Sequence, residues 1–328
     1  MILVIEAIVA AALWLFTAIG ARVIARRFPL VGQRVFVAPD CAIHVVEREP
    51  LGEERGAVLL VHGASGNFGD LDLALSARLT ALGFRVFAVD RPGHGWSDRL
   101  KANAASPIAQ AKALRAALAA RGVKQAIVVV HSLAGALGLA MALEEPDFVR
   151  GLALLSPVSH PWPGGVDLSY TIAASRFFGP PFRHVIVMSA GLALMRRGVR
   201  SVFAPKPVPP NYIVATRTPL VLRPLHFRAN AEDVVAMKGH VTALSPRYGE
   251  IRAPTTIVTG DHDGVVYAHI HSLGCERDIP GATLHVLPGI GHSPHHSAPE
   301  RVVAAILEVE GRALSAERRQ PDAAPTPA

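Results

Sequence analysis

Apolar positions dominate the start of the chain. From Met1 to Ala21 the only charged side chain is Glu6, in a run that holds Val4, Ile5, Val9, Trp14, Leu15 and Phe16. Wound as a helix at 1.5 Å per residue, this stretch is roughly 30 Å long, the thickness of a bilayer's hydrocarbon core. A cleaved signal peptide would carry a basic segment ahead of an apolar stretch of about 7–15 residues. A helix lying on a soluble domain would carry a polar face, and only Glu6, Thr17 and Gly20 interrupt this one. Residues 1–27 are therefore predicted to be an anchor in contact with the lipid bilayer, with export behind a signal peptide as the alternative. Arg22, Arg26 and Arg27 follow the run, so the positive-inside rule puts the rest of the chain in the cytoplasm.

Beyond the anchor the pattern changes to short β-rich runs. Residues 34–37 and 42–46 predict a hairpin that turns at Pro39-Asp40, and continuous apolar runs follow at 57–61, 85–89, 126–130, 151–155 and 255–258. Amphipathic helical patterns separate several of them, at 71–82, 109–121 and 133–143. Apolar strands alternating with helices predict an α/β fold with a mostly parallel sheet covered on both faces. The alternation stops between 159 and 248, where prolines are frequent and residues 182–196 have a helical pattern. That segment is expected to be a helical cap over a core formed by 33–158 and 249–312, and residues 313–328, without periodicity, a disordered tail.

Composition narrows the partners. The formal charge is +7, yet the cations are scattered apart from pairs such as Arg196-Arg197, which excludes a nucleic-acid stripe and suits a surface beside an anionic membrane. The two cysteines, Cys41 and Cys275, have neither disulfide-framework nor metal-ligand spacing.

Candidate chemistry lies where the apolar strands end. Val130-His131-Ser132-Leu133-Ala134-Gly135 sits between a buried strand and an Ala/Leu-rich helix, where a sharp turn would lift a serine above the sheet. It departs from Gly-x-Ser-x-Gly at both ends, with Val130 for the first glycine and Ala134 for the second. Four further segments occur at strand ends: His62-Gly63-Ala64-Ser65-Gly66-Asn67, Asp90-Arg91-Pro92-Gly93-His94-Gly95-Trp96-Ser97-Asp98, Thr259-Gly260-Asp261-His262-Asp263-Gly264, and Leu287-Pro288-Gly289-Ile290-Gly291-His292. In this order, spanning about residues 33–310, they resemble the loops of the α/β-hydrolase superfamily in its capped branch.

The resemblance implies Ser132 as nucleophile, Asp263 as acid and His292 as base, with the backbone amides of Ala64 and Leu133 as the oxyanion hole. It implies neither cofactor nor metal. Asp261 is an alternative acid. His271-Ser272-Leu273-Gly274 mimics a nucleophile motif, but it follows the acid loop and reads as helix surface. His295 and His296 beside His292 suggest metal ligands, but with no carboxylate pattern nearby they read as surface or lid contacts. A serine rather than an aspartate at position 132 points to acyl transfer to water, and so to an esterase or lipase-like enzyme with a small-molecule acyl substrate. Transfer to another acceptor, cofactor-free perhydrolysis, or a catalytically silent binding protein are the alternatives.

Overall fold

The computed structural model describes residues 1–319. Eight strands form one sheet: β1 (Gln33–Ala38), β2 (Cys41–Arg48), β3 (Gly56–Val61), β4 (Phe84–Val89), β5 (Ala126–His131), β6 (Val149–Leu155), β7 (Thr255–Gly260) and β8 (Thr283–Leu287). Their spatial order is β1-β2-β4-β3-β5-β6-β7-β8. The pairs β1/β2 and β2/β4 are antiparallel and the others parallel. This is the mostly parallel sheet that the strand–helix alternation predicted.

The central strands are buried because helices cover both sides. Along β5, Val128 and Val130 join the cluster beneath the helices Pro107–Ala119 and Gly135–Glu144. Ile127 and Val129 point the other way, into a cluster with Leu79, Val302, Ile306 and Val309. Such period-two alternation between two covered faces is what a continuous apolar run buys in a parallel sheet. Each of these side chains contributes about 1.5–3 kcal/mol by leaving water. Strand β8 has no counterpart in the predicted pattern. It is a half-exposed edge strand whose His285 pairs with Glu308, so its sequence lacks an apolar run.

Between β6 and β7 the described elements are helices, including Leu168–Ala174, Gly179–Val185, Val187–Phe203, Tyr212–Ala215 and Pro224–Leu244. The N-terminal helix Ile2–Arg27 is long and apolar enough to cross a membrane. One side of its second half rests on this helical segment: Ile24 and Phe28 pack with Val187, Met188, Leu220 and Leu222. Gly20 permits the approach, since a Cβ there would lie 3.3 Å from the Met188 sulfur. Its other side, with Ile5, Ile8, Leu15, Phe16, Ile19 and Val23, is exposed.

The closing helix Pro299–Glu317 corrects the predicted start of the tail. Ala313 is buried, and Arg150 grips Glu317 with two hydrogen bonds, so helix continues where the pattern suggested disorder. The last predicted tail residues, 320–328, lie outside the described residues.

Candidate active site

Ser132 stands at the carboxyl end of β5 with φ of +55°, a left-handed conformation that is costly for a residue with a side chain. The turn holds it by crowding. A Cβ on Gly63 would fall 2.8 Å from the Ser132 Cβ, and one on Gly135 would fall 2.6 Å from Pro157. The missing first glycine has a compensating one: a Cβ on Gly138 would meet the Val130 Cγ2 at 2.8 Å. The elbow helix thus makes room for Val130 six residues after the serine. Elbow packing needs a small residue on one side of the strand–helix contact, not on a particular side.

The structure brings together the three distant residues singled out by sequence. The Asp263 carboxylate can only accept, so His292 donates its Nδ1–H to Oδ2 at 2.8 Å. That tautomer leaves Nε2 as the acceptor for the Ser132 hydroxyl, also at 2.8 Å. All three side chains are buried. Burial opposes ionisation of Asp263, but His292 and the amides of Val266 and Val265 outweigh it, holding the carboxyl below its ordinary range. The amide of His292 is anchored to the Val202 carbonyl at 3.1 Å. Asp261 is exposed and engages His262 and the Gly289 amide instead of His292, so it is not brought to the relay.

The oxyanion-hole candidates follow from where neighbouring carbonyls are tied. In a trans peptide a carbonyl and the next N–H point in opposite directions. The Gly63 carbonyl accepts from His62 Nδ1 at 2.8 Å and from Arg91 at 3.4 Å, which turns the Ala64 N–H the other way. The Ser132 carbonyl accepts from the Val158 amide at 2.9 Å, which does the same for Leu133. The next amide in the loop, Ser65 N–H, is taken by buried Asn230 at 2.6 Å.

Sequence reasoning missed this supporting set. Arg91 is wholly buried, bonds the His62 carbonyl at 3.1 Å and pairs with Asp233 of the helix Pro224–Leu244 at 2.6 Å. Burial, then the Arg91 charge, pushes His62 down to about 4, so its imidazole is neutral and accepts from the Arg91 amide. Arg91 lies in one of the quoted loop segments, but no sequence pattern pairs it with Asp233 or joins Asn230 to Ser65.

Several expectations about histidines need correction. His271 and Ser272 are buried, not helix surface; His271 Nδ1 accepts from the amides of Ser159 and His160, each at 3.2 Å. His295 is fully buried, and His295 and His296 both bond Asp70, the carboxylate absent from their stretch of sequence. His131 also holds the His292 carbonyl at 2.9 Å.

Ser132 and His292 open into a cavity of about 360 Å³. Ser65, Asn67, Asp70, His131 and Tyr212 give it a polar part, while Met195, Val199, Val202, Phe203, Val221 and Leu222 line an apolar part.

A sequence profile described as the alpha/beta hydrolase family matches residues 58–305. The chain belongs to that family. A 2-hydroxy-6-oxo-6-phenylhexa-2,4-dienoate hydrolase of Burkholderia cepacia is 26% identical over 245 residues, covering 72% of this chain and 81% of the relative. A thermophilic esterase from Thermogutta terrifontis superposes with a TM-score of 0.68 at 20% identity, over 86% of this chain and 99% of the other. A membrane phospholipase A superposes at 0.61 with 22% identity, covering 94% of this chain and 97% of the other. This α/β-hydrolase is thus an enzyme of the hydrolase class, with relatives named as hydrolases and fold neighbours that include an esterase.

Proposed function

We propose that this α/β-hydrolase is a serine hydrolase that cleaves a lipophilic ester-type acyl substrate through an acyl-enzyme. The observation that carries the reading is the unbroken hydrogen-bond chain from Asp263 through His292 to the Ser132 hydroxyl, ending in a largely apolar cavity. A serine hydroxyl is a weak nucleophile until a base takes its proton. Ser132 Oγ attacks the acyl carbon while His292 Nε2 removes that proton, and Asp263 stabilises the imidazolium. The oxyanion is held by the Ala64 and Leu133 amides, each such donor being worth roughly 3–4 kcal/mol in the transition state. Collapse breaks the ester bond, and His292 returns the proton to the departing alcohol. Water then attacks the acyl-enzyme by the same route, releasing the acid and restoring Ser132.

Residues 159–248 serve in this reading as a cap whose apolar side chains take the acyl chain. Residues 1–27 serve as a bilayer anchor, supported by the exposed apolar face that runs the length of the helix, with Arg22, Arg26 and Arg27 favouring a cytoplasmic catalytic domain. A substrate drawn from lipid suits that placement.

A fluorophosphonate probe is expected to label the wild type and not Ser132→Ala, and kcat/KM for chromogenic esters is expected to rise with acyl length. Labelling or hydrolysis that survives in Ser132→Ala would remove the assignment. For the anchor, the double substitution Phe16→Glu and Ile19→Glu on the exposed face should shift the protein out of the membrane fraction. Unchanged partitioning would count against it.

A further inference from the structure

A second constellation of titratable groups adjoins the same cavity, and the reaction does not use it. Asp70 follows the oxyanion loop, and His295 and His296 lie on the short helix Pro294–Ser297, so the fold joins groups separated by 225 residues. Asp70 Oδ1 is 2.9 Å from His296 Nε2, and Oδ2 is 3.3 Å from His295 Nε2. One ligand atom from each residue lies within 4.8 Å of the others. Ligand atoms around a tetrahedral zinc ion, bound at about 2.0–2.1 Å, are separated by about 3.4 Å. The donor set fits, and small adjustments would close it.

An independent observation comes from His131. Its Nε2 lies 2.9 Å from the carbonyl oxygen of His292, and a carbonyl can only accept, so Nε2 carries the proton. In the neutral ring the other nitrogen, Nδ1, is then a bare lone pair. That atom is buried, has no hydrogen-bond partner among the described residues, and faces Asp70 Oδ2 at 3.8 Å. Two acceptors turned toward each other repel, and a cation between or beside them reverses the sign of the interaction.

We propose that Asp70, His295 and His296 bind a divalent cation of the zinc class at the wall of the acyl cavity, with His131 Nδ1 turned toward the same site. Nitrogen and carboxylate ligands suit Zn²⁺, not Mg²⁺ or Ca²⁺, which take oxygen donors. Asp70 and Tyr212 line the cavity, which gives the ion its way in, and the Tyr212 hydroxyl, 2.8 Å from Asp70 Oδ1, is placed to supply a further oxygen. The ion has a consequence for the reaction. The rings of His131 and His292 are 4.7 Å apart, so a cation held beside His131 disfavours the imidazolium that His292 must become. Zinc is an inhibitor in this arrangement, acting from the cluster and not on the serine.

The test is cobalt(II) titration of the full-length, detergent-solubilised, chelator-treated protein, read by the visible bands of tetrahedral cobalt and therefore independent of turnover. One cobalt per chain is expected in the wild type and in Ser132→Ala, with the bands lost in Asp70→Asn and in His296→Gln. Zinc should displace cobalt and slow ester hydrolysis roughly tenfold, reversibly with chelator, and this inhibition should vanish in His296→Gln. Circular dichroism shows whether each variant is folded, and the isosteric Asp70→Asn serves if His296→Gln is not. Absence of tetrahedral bands in the wild type overturns the proposal, as do bands that persist in both variants. Zinc inhibition of equal strength in a folded Asp70→Asn would locate the ion on Ser132 and His292, and overturns it equally.

Discussion

Two histidine–carboxylate constellations border one cavity, and they are wired differently. In the first, Asp263 has one imidazole partner, His292, whose other nitrogen ends on the Ser132 hydroxyl. In the second, one carboxylate, Asp70, is shared by His295, His296 and Tyr212, and neither histidine passes its side-chain hydrogen bond on to a hydroxyl or thiol among the described residues. The residue types are the same. A relay needs a base with one nitrogen oriented and the other free to take a proton, whereas a hub gathers several donors about one charge. Connectivity, not composition, separates the two arrangements.

Substitutions can break that comparison. The largest effect is expected from Ser132→Ala and His292→Ala, each lowering kcat for ester hydrolysis by about 10⁴–10⁶-fold, measured with a chromogenic ester. Next, Asp263→Asn should cost about 10³–10⁴-fold by reversing the hydrogen-bond demand on His292. The matched Asp70→Asn, assayed without metal, should cost less than roughly tenfold. Equal losses from the two aspartates would mean that the hub belongs to the relay, and the distinction made here would fail.

The acid limb of stability sharpens the same contrast. Asp70 is held well below the ordinary carboxylate range: burial opposes its ionisation, but His295 and then His296 outweigh that cost. A depressed folded-state value contributes stability that is present above the unfolded-state value and lost as pH falls through the folded one. Asp263 is depressed as well, by His292 and two amides working against burial. Melting temperature against pH should therefore fall less steeply below the ordinary carboxylate range in either Asp→Asn variant than in the wild type, with Asp70→Asn the flatter. An unchanged acid limb in both would refute the linkage.

The smallest effect concerns the elbow that positions the relay. Gly138→Ala should destabilise by about 1–3 kcal/mol, because its methyl enters the space held by Val130. Adding Val130→Gly should recover stability and probe labelling relative to Gly138→Ala alone, a non-additivity read by a double-mutant cycle. Strict additivity would show that Val130 and Gly138 do not share that space.

Much of the relay was legible because its members close strands or open helices at recognisable turns. Ser132, Asp263 and His292 each sit in a short motif at a sheet edge, and family order ties the motifs together. Val130 looked like a defect because the residue that relieves it, Gly138, lies two helical turns on. Its role exists only once helix and strand are packed. The hub was dismissed for a similar reason, since the carboxylate that makes His295 and His296 a cluster is 225 residues away.

By itself, the sequence determined the layered α/β architecture, the apolar N-terminal helix and the three residues of the relay. The first two depend on hydrophobic period, which is local along the chain, and the three residues on the resemblance of their loops, taken in order, to those of the family. Tertiary structure alone decided that Arg91 and Asn230 brace the loop 62–67, that Gly138 accommodates Val130, and that Asp70 joins two histidines beside the cavity. Each of those is a contact between segments whose separate patterns say only helix, turn or strand. A buried polar group finds its partner in space, and its identity becomes readable when the chain has closed around it.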